Sequence, residues 1–184
     1  MTFEQYKAGF EEILNNANPT EPYDDPHFLE YTKMNSKRMN RWFKQGVILP
    51  EMNEYLTNLN EKQKWVLITE HWCGDAAHIV PFLHMMSELT PMVELELQLR
   101  DTDSEIDSYL TNGSKSVPVL IVRNESGKDL FIWGPRPKEC QVVFDEQKLA
   151  GAEMEDLKVA LQNWYNQDKG SLIQVEILEL LKQV

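Results

Sequence analysis

The feature that most constrains the fold is an apolar run that leads directly into a cysteine. Residues 65–70, WVLITE, are mostly apolar, β-branched or aromatic, which is typical of a buried strand. Cys73 follows within three residues. Apolar residues such as Ile79 and Phe82 then repeat at helical spacing, and Pro81 is expected to kink this helix. The sequence therefore predicts a strand that passes at once into a helix, with Cys73 at the helix N-terminus.

Two further strand patterns and a hairpin predict a mixed sheet. Residues 93–99 alternate between apolar and polar, as in a strand with one dry and one wet face, which suits an edge position. Residues 118–123, PVLIVR, predict another strand, and a turn at 124–127 leads into 130–133 to complete a hairpin. A parallel pair joined by a helix and followed by a hairpin predicts an α/β sandwich with four strands.

Helical spacing accounts for most of the remaining chain. Thr2 with Gln5 makes a capping box before the first helix, and Ser171 with Gln174 is expected to cap the last one. The other predicted helices lie at 27–44, from 50 onward, at 103–110, at 138–149 and at 153–167.

The predicted elements divide the chain into a core and two flanking stretches. We expect a helical extension over residues 1–63 that packs on the core, which itself covers 64–150. Helices over 151–184 are expected to complete the same domain. The length is in the range of a single elaborated domain.

Composition and charge argue against several classes of function. The net charge of −12 disfavours nucleic-acid and anionic-membrane partners. The N-terminal residues lack the basic and apolar regions of a secretory signal, and no apolar stretch approaches a membrane span. Cys73 and Cys140 do not form a disulfide framework, so a reducing cytoplasmic location is expected. No cofactor is expected, and zinc is disfavoured because His71 and His78 lack ligand companions at useful spacing.

The residues around Cys73 predict a reactive thiol. A helix N-terminus offers unpaired N–H groups and partial positive charge, which stabilise a thiolate. Gly74 keeps the turn open, and Trp72 offers a flat apolar face beside the sulfur. The Asp75 carboxylate opposes the thiolate, but it could instead bond the helix N-terminus or act as an acid or base. His71 and His78 are expected to be surface or partly buried, His78 being the better candidate for tuning the sulfur.

These residues resemble the active-site stretch of the thioredoxin family. Trp72-Cys73-Gly74, followed by Ile79 and Pro81, is similar to the motif W-C-G-P-C-x-x-I-x-P. Val117-Pro118 resembles the family's cis-proline strand, about 45 residues after the cysteine. The resemblance covers roughly residues 60–150 and implies a thioredoxin-like α/β/α sandwich. It also implies a cis bond before Pro118 and pairing of the preceding backbone with a bound peptide.

The whole chain resembles a bacterial subfamily of thioredoxin-like proteins with a W-C-G-D-A-A active-site variant. The stretches that carry this resemblance are RMNR at 38–41, TEHWCGDA at 69–76, LRD at 99–101, YLTNG at 109–113 and WGPRP at 133–137.

The sequence departs from the family at the positions that complete dithiol chemistry. Ala76 stands where the family has its resolving cysteine, and Leu67 where it has a buried acid. Without a second thiol, Cys73 has no internal group to release a mixed disulfide. Cys140 could supply one, but a free cysteine is more often a small buried hydrophobe, so we expect it unpaired.

Two arginines are candidates for binding a carboxylate near the sulfur. Arg100 is expected to pair with Asp101 or Asp103 instead. For Arg136 the choice between binding a ligand and packing on Trp133 stays open.

The sequence thus predicts a monothiol protein that exchanges with protein or glutathione thiols and disulfides. We assign Cys73 and Asp75 as candidate catalytic residues. The candidate substrate-binding residues are Trp72, Gly74, Val117, Pro118 and Arg136. The alternative is a redox-inactive thioredoxin-fold module that binds a peptide or protein. Peroxide sensing at Cys73 is a weaker third hypothesis.

Overall fold

A four-stranded sheet forms the centre of the computed structural model, which describes residues 1–184. Its strands are β1 (Gln63–Thr69), β2 (Val93–Leu99), β3 (Val119–Asn124) and β4 (Asp129–Trp133). The strand order is β2-β1-β3-β4. β1 pairs in parallel with β2 and antiparallel with β3, which pairs antiparallel with β4. The mixed sheet and the edge position of β2 confirm the predicted α/β fold class.

Seven α-helices surround this sheet. They are α1 (Phe3–Asn15), α2 (Pro26–Gln45), α3 (Pro50–Thr57), α4 (Ala76–Ser87), α5 (Lys138–Leu149), α6 (Met154–Asp168) and α7 (Ser171–Leu181). One cluster of 35 buried residues runs from Phe3 in α1 to Leu181 in α7, so helices from both ends of the chain share the core of the sheet. None of the helices has the combination of length and apolar character that crossing a membrane requires.

Helix α1 begins where its local signals predict. The Thr2 hydroxyl accepts from the Gln5 N–H at 3.3 Å, and the Gln5 side chain accepts from the Thr2 N–H at 2.8 Å. This reciprocal pair satisfies two N–H groups that the helix itself leaves free. Phe3, Tyr6 and Phe10 then face the core, so the predicted capping box and apolar spacing are confirmed.

The predicted cap of α7 is wrong. Gly170, in the left-handed region at φ 79°, is the N-cap residue, and the Asp168 carboxylate accepts from the Leu172 N–H at 3.0 Å. The Gln174 side chain caps no N–H of the helix start. It donates to the Gly170 carbonyl at 2.9 Å and to the Val47 carbonyl at 3.1 Å, and it accepts from the Leu49 N–H at 2.8 Å. The loop before α3, distant in sequence, therefore uses the side-chain oxygen that local spacing assigned to the cap.

The helix predicted over 103–110 is reduced to a 3-10 turn at Ile106–Ser108. The Gln98 side chain accepts from the Glu105 N–H at 3.0 Å, so this N–H bonds to a side chain instead of to a preceding helical carbonyl. Only Ile106 within the turn is buried. One buried side chain gives no amphipathic face that would stabilise a longer helix.

Helix α4 begins later than expected. Its first residue is Ala76 and its N-cap is Asp75, so Cys73 lies in the turn that precedes the helix. The helix continues through Pro81 to Ser87, and nearly every residue of it is buried. A kink at Pro81 stays a prediction. The turn places Cys73 directly beneath the cleft described next.

Candidate functional site

A cleft of about 640 Å³ opens beside the turn that joins β1 to α4. Its walls come from α2, from this turn, from the segment before β3, from the β4–α5 loop and from α6. The volume is in the range of sites for small organic molecules. Six of the seven predicted site residues line it, namely Trp72, Cys73, Gly74, Asp75, Val117 and Arg136. Pro118 is buried directly behind Val117.

The Cys73 thiol lies between the helix start and the Val117–Pro118 segment that precedes β3. Its Sγ donates to the Val117 carbonyl at 3.3 Å and accepts from the Ala76 N–H at 3.5 Å. The Val117–Pro118 peptide bond is cis. The side chain is 7% exposed and borders the cleft, so a ligand there would meet the sulfur at its edge.

The expectation of a stabilised thiolate is not met in the resting structure. Burial, and then the Asp75 carboxylate, raise the pKa of the Cys73 thiol to about 12. The Ala76 N–H acts in the opposite direction, but it is weaker than these two effects. The N–H groups of Ala76 and Asp75 offset the burial only in part, so the thiol is protonated at neutral pH.

The Asp75 carboxylate is held by two residues from distant parts of the chain. Its Oδ2 accepts from Arg136 at 2.8 Å, and its Oδ1 accepts from the Tyr165 hydroxyl at 2.8 Å. The Arg136 guanidinium also lies 4.1 Å from the Phe144 ring centroid. The sequence left open whether Arg136 binds a ligand or packs on Trp133. In the structure Arg136 forms an ion pair with Asp75 instead of packing on Trp133. With both oxygens engaged, Asp75 is a fixed negative charge beside the sulfur.

Aromatic side chains border the turn on both sides of the sulfur. The Arg100 guanidinium stacks 4.5 Å from the Trp72 ring, and Phe28 meets that ring edge-on. On the other side, a Cβ at Gly74 would lie 2.6 Å from the Tyr31 hydroxyl. A side chain at position 74 would therefore displace the Tyr31 ring, which packs directly on the backbone of this turn.

The β4–α5 loop packs tightly behind Pro118. Gly134 has φ 126°, and a Cβ there would overlap the Pro118 carbonyl oxygen. This close approach sets the direction of the loop. It brings Arg136, two residues later, to Asp75.

Both histidines that flank Cys73 in sequence are buried, more deeply than the surface or partly buried positions expected of them. His71 donates from Nε2 to the Tyr6 carbonyl at 2.8 Å. His78 accepts from the Trp42 indole at 2.8 Å through Nδ1, so its Nε2–H donates to Gln162 at 3.0 Å. Burial lowers the pKa of both, that of His78 to about 3. They are neutral structural residues, and neither bonds the sulfur.

Two other expected features concern Arg100 and Cys140. Arg100 makes a bidentate pair with Asp101 at 2.7 and 2.8 Å, as expected. Cys140 is free and fully buried near the start of α5. Burial, and then Asp75, raise the pKa of its thiol to about 12. No group of three or more His, Cys, Asp or Glu side chains is arranged to hold a metal ion.

Several cleft residues carried no assigned role in the sequence analysis, among them two from α2 and two from α6. Tyr31 and Arg38 come from α2, and Lys158 and Tyr165 come from α6. Arg38 belongs to a stretch already noted as resembling a subfamily, which is the one available signal. Tyr165 lies 90 residues from its partner Asp75, and no local pattern marks it.

Comparison with known proteins supports the same assignment of fold. A family model described as thioredoxin matches residues 23–150, which is more than half of the chain. A crystal structure of a protein of unknown function from Pseudomonas aeruginosa is similar at 16% identity and a TM-score of 0.51, covering 77% of this chain and 86% of that one. An HIV epitope-scaffold is similar at 15% identity and a TM-score of 0.57, covering 100% and 99%. At these identities the likeness is one of fold alone. No curated protein sequence gives a significant match.

Proposed function

Because the chain belongs to the thioredoxin family, we propose that it performs monothiol thiol–disulfide exchange at Cys73. The family and fold support a general thiol-redox role. The finer proposal is that partner thiols are held as long-lived mixed disulfides. The observation that carries it is the Cys73 sulfur at the edge of a 640 Å³ cleft, 3.3 Å from the Val117 carbonyl, with Ala76 in place of a resolving cysteine.

The proposed exchange is balanced within the thiol–disulfide pair. The Cys73 thiol loses its proton to solvent, and its sulfur attacks one sulfur of a disulfide R–S–S–R. A Cys73–S–S–R bond forms as the R–S–S–R bond breaks, and the leaving thiolate takes up a proton as R–SH. Cys73 is oxidised and the leaving sulfur is reduced. An external thiol, such as glutathione in a reducing cytoplasm, reverses the step.

The raised pKa of the Cys73 thiol, about 12, has two consequences for this exchange. The attacking thiolate is scarce at neutral pH, so formation of the adduct is slow. In the reverse direction Cys73 is a poor leaving group, and no internal thiol is available to attack. The mixed disulfide is therefore slow to form and slow to break, which suits a protein that holds a partner thiol.

A second candidate function is non-covalent binding of a peptide or protein in the same cleft. The observation that favours it is the thiol itself, which is protonated and already bonded to the Val117 carbonyl. In this alternative an extended segment would pair with the backbone next to Pro118 without sulfur chemistry.

Exposure to hydroxyethyl disulfide, followed by intact-protein mass spectrometry, separates the two candidates. We expect one adduct in the wild type and in the control variant Cys140→Ser, and none in Cys73→Ser. Its rate of formation should rise about tenfold per pH unit up to about pH 9 without a plateau, because the thiol pKa lies above this range. No adduct on Cys73 at the highest pH would contradict the exchange and leave binding as the function.

A further inference from the structure

The lining of the cleft has the opposite charge to the rest of the molecule. The chain has 30 acidic and 18 basic residues. Among the 22 residues that line the cleft, five are Lys or Arg and one, Asp75, is acidic. That acid is already neutralised by Arg136 at 2.8 Å. An acidic protein that collects cations around one concave surface has a site suited to an anion.

The cations form two walls. On one wall the Arg38 guanidinium lies 5.1 Å and the Lys158 ammonium 4.8 Å from the centroid of the Tyr31 ring. Tyr31 in turn packs on Gly74, next to the sulfur. On the other wall, Arg100 stacks on Trp72 and bonds the Lys115 carbonyl at 3.4 Å.

Most of these cations are paired with a nearby carboxylate, but one is not. Arg100 pairs with Asp101, Lys115 with Asp107 and Lys158 with Glu155. Arg38 forms no ion pair, and its guanidinium bonds only the Asn35 side-chain oxygen, at 2.9 Å. A half-buried guanidinium without a carboxylate partner keeps N–H donors that a bound anion can accept from. Arg38 is therefore the centre of the site.

The remaining lining fits a carbon body. Ten of the 22 lining residues are hydrophobic, among them Phe28, Trp72 and Phe144. A ligand with an apolar body and a negative group would bury the first against these rings and pair the second with Arg38.

From this arrangement we propose that the cleft selects a small organic anion, a carboxylate-bearing thiol or disulfide, through Arg38 and Lys158 on either side of Tyr31. The sulfur chemistry of this inference rests on the proposed function, whereas the anion site does not. A concave site of this volume accommodates a small molecule. Binding of an acidic peptide is the alternative that the experiment must distinguish from it.

Three small disulfides of similar size and different charge test the selectivity: anionic dithiodipropionate, neutral hydroxyethyl disulfide and cationic cystamine. We expect Cys73 of the wild type to react fastest with the anion. The ratio of the anionic to the neutral rate should fall roughly fivefold in Arg38→Gln and in Lys158→Gln, as for loss of one accessible ion pair. Lys37→Gln, which removes an exposed charge from the same helix outside the cleft, should keep the wild-type ratio. Circular dichroism checks that each variant folds.

A second measurement separates failure of this inference from failure of the proposed function. Thiodipropionate carries the same carboxylates on a thioether that cannot exchange, so its binding to Cys73→Ser by calorimetry reports the anion site alone. Binding that Arg38→Gln weakens supports the inference even if no disulfide reacts. Three results would overturn the inference. They are disulfide exchange with no preference for the anion, no binding of thiodipropionate, and binding of thiodipropionate that only acidic peptides displace.

Discussion

At the scale of single residues, the protonation of Cys73 depends on a few neighbours. Burial and the fixed charge of Asp75 disfavour the thiolate, whereas the Ala76 N–H and Arg136 favour it. Arg136 contributes less than its charge suggests because it is paired with Asp75. The sulfur therefore responds to a carboxylate whose own position depends on Tyr165, far along the chain.

Replacing Asp75 with Asn should make Cys73 more reactive. The amide can still accept from Tyr165, but the negative charge is gone and Arg136 is left unneutralised. We expect the pKa of the Cys73 thiol to fall by about one unit or more. Alkylation by iodoacetamide near pH 8 should accelerate about tenfold, because the thiolate fraction rises by that factor.

The control for this variant is Asp107→Asn, which removes an exposed carboxylate that pairs with Lys115. Its alkylation rate should match the wild type. An unchanged rate in Asp75→Asn would mean that burial alone protects the thiol.

At the scale of secondary-structure elements, most boundaries follow from local signals and most polar contacts do not. The strand before Cys73 and the cap of α1 were predictable because a run of apolar residues and a reciprocal cap act within a few residues. Gln174 was assigned to the wrong bond because two of its three partners, in the loop before α3, lie more than a hundred residues away. The same holds for the site: Cys73 could be predicted, whereas Tyr31 and Tyr165 reach it only through tertiary packing.

The Gln174 contacts predict a large effect of a nearly isosteric substitution. In Gln174→Leu the buried Gly170 carbonyl and the partly buried Leu49 N–H and Val47 carbonyl would lose their partner. We expect a loss of about 2–3 kcal/mol in the free energy of unfolding, measured by urea denaturation.

Gln183→Leu, at an exposed position near the same end of the chain, should change this free energy by less than about 0.5 kcal/mol. Equal effects of the two substitutions would show that the Gln174 bonds do not fasten α7 to the loop.

At the scale of the whole molecule, the two buried histidines make the fold sensitive to acid. Their pKa values are lowered in the folded state, so the unfolded chain takes up protons first as the pH falls. The stability that they contribute is full above about pH 6.5 and decreases below it, towards the folded value of about 3 for His78. Burial raises the pKa values of Glu70 and Asp168, which act in the opposite direction as these carboxyls take up protons.

Replacing His78 with Asn should reduce this acid sensitivity. The Asn oxygen can accept from the Trp42 indole as Nδ1 does, but the side chain does not titrate. At pH 7.5 the variant should be less stable by about 1–3 kcal/mol, since the bond to Gln162 is lost. Between about pH 6.5 and 5 the wild type should lose about 2 kcal/mol more than the variant. Urea denaturation between pH 7.5 and 5 measures the free energy of unfolding of both proteins. Parallel profiles of this free energy against pH would contradict the assignment of the acid sensitivity to His78.

The positions of the cleft residues along the chain also affect how the sequence of this protein can evolve. The sulfur, the neighbouring turn and the Pro118 strand lie inside residues 23–150, the segment matched by the family model, whereas Lys158 and Tyr165 follow it. The α6 part of one wall is thus encoded by a different stretch of sequence from the Cys73 sulfur. Under the proposed function, substitutions in α6 can change which molecules are admitted while the thiol chemistry is inherited unchanged, so relatives with an identical cysteine turn need not share a substrate.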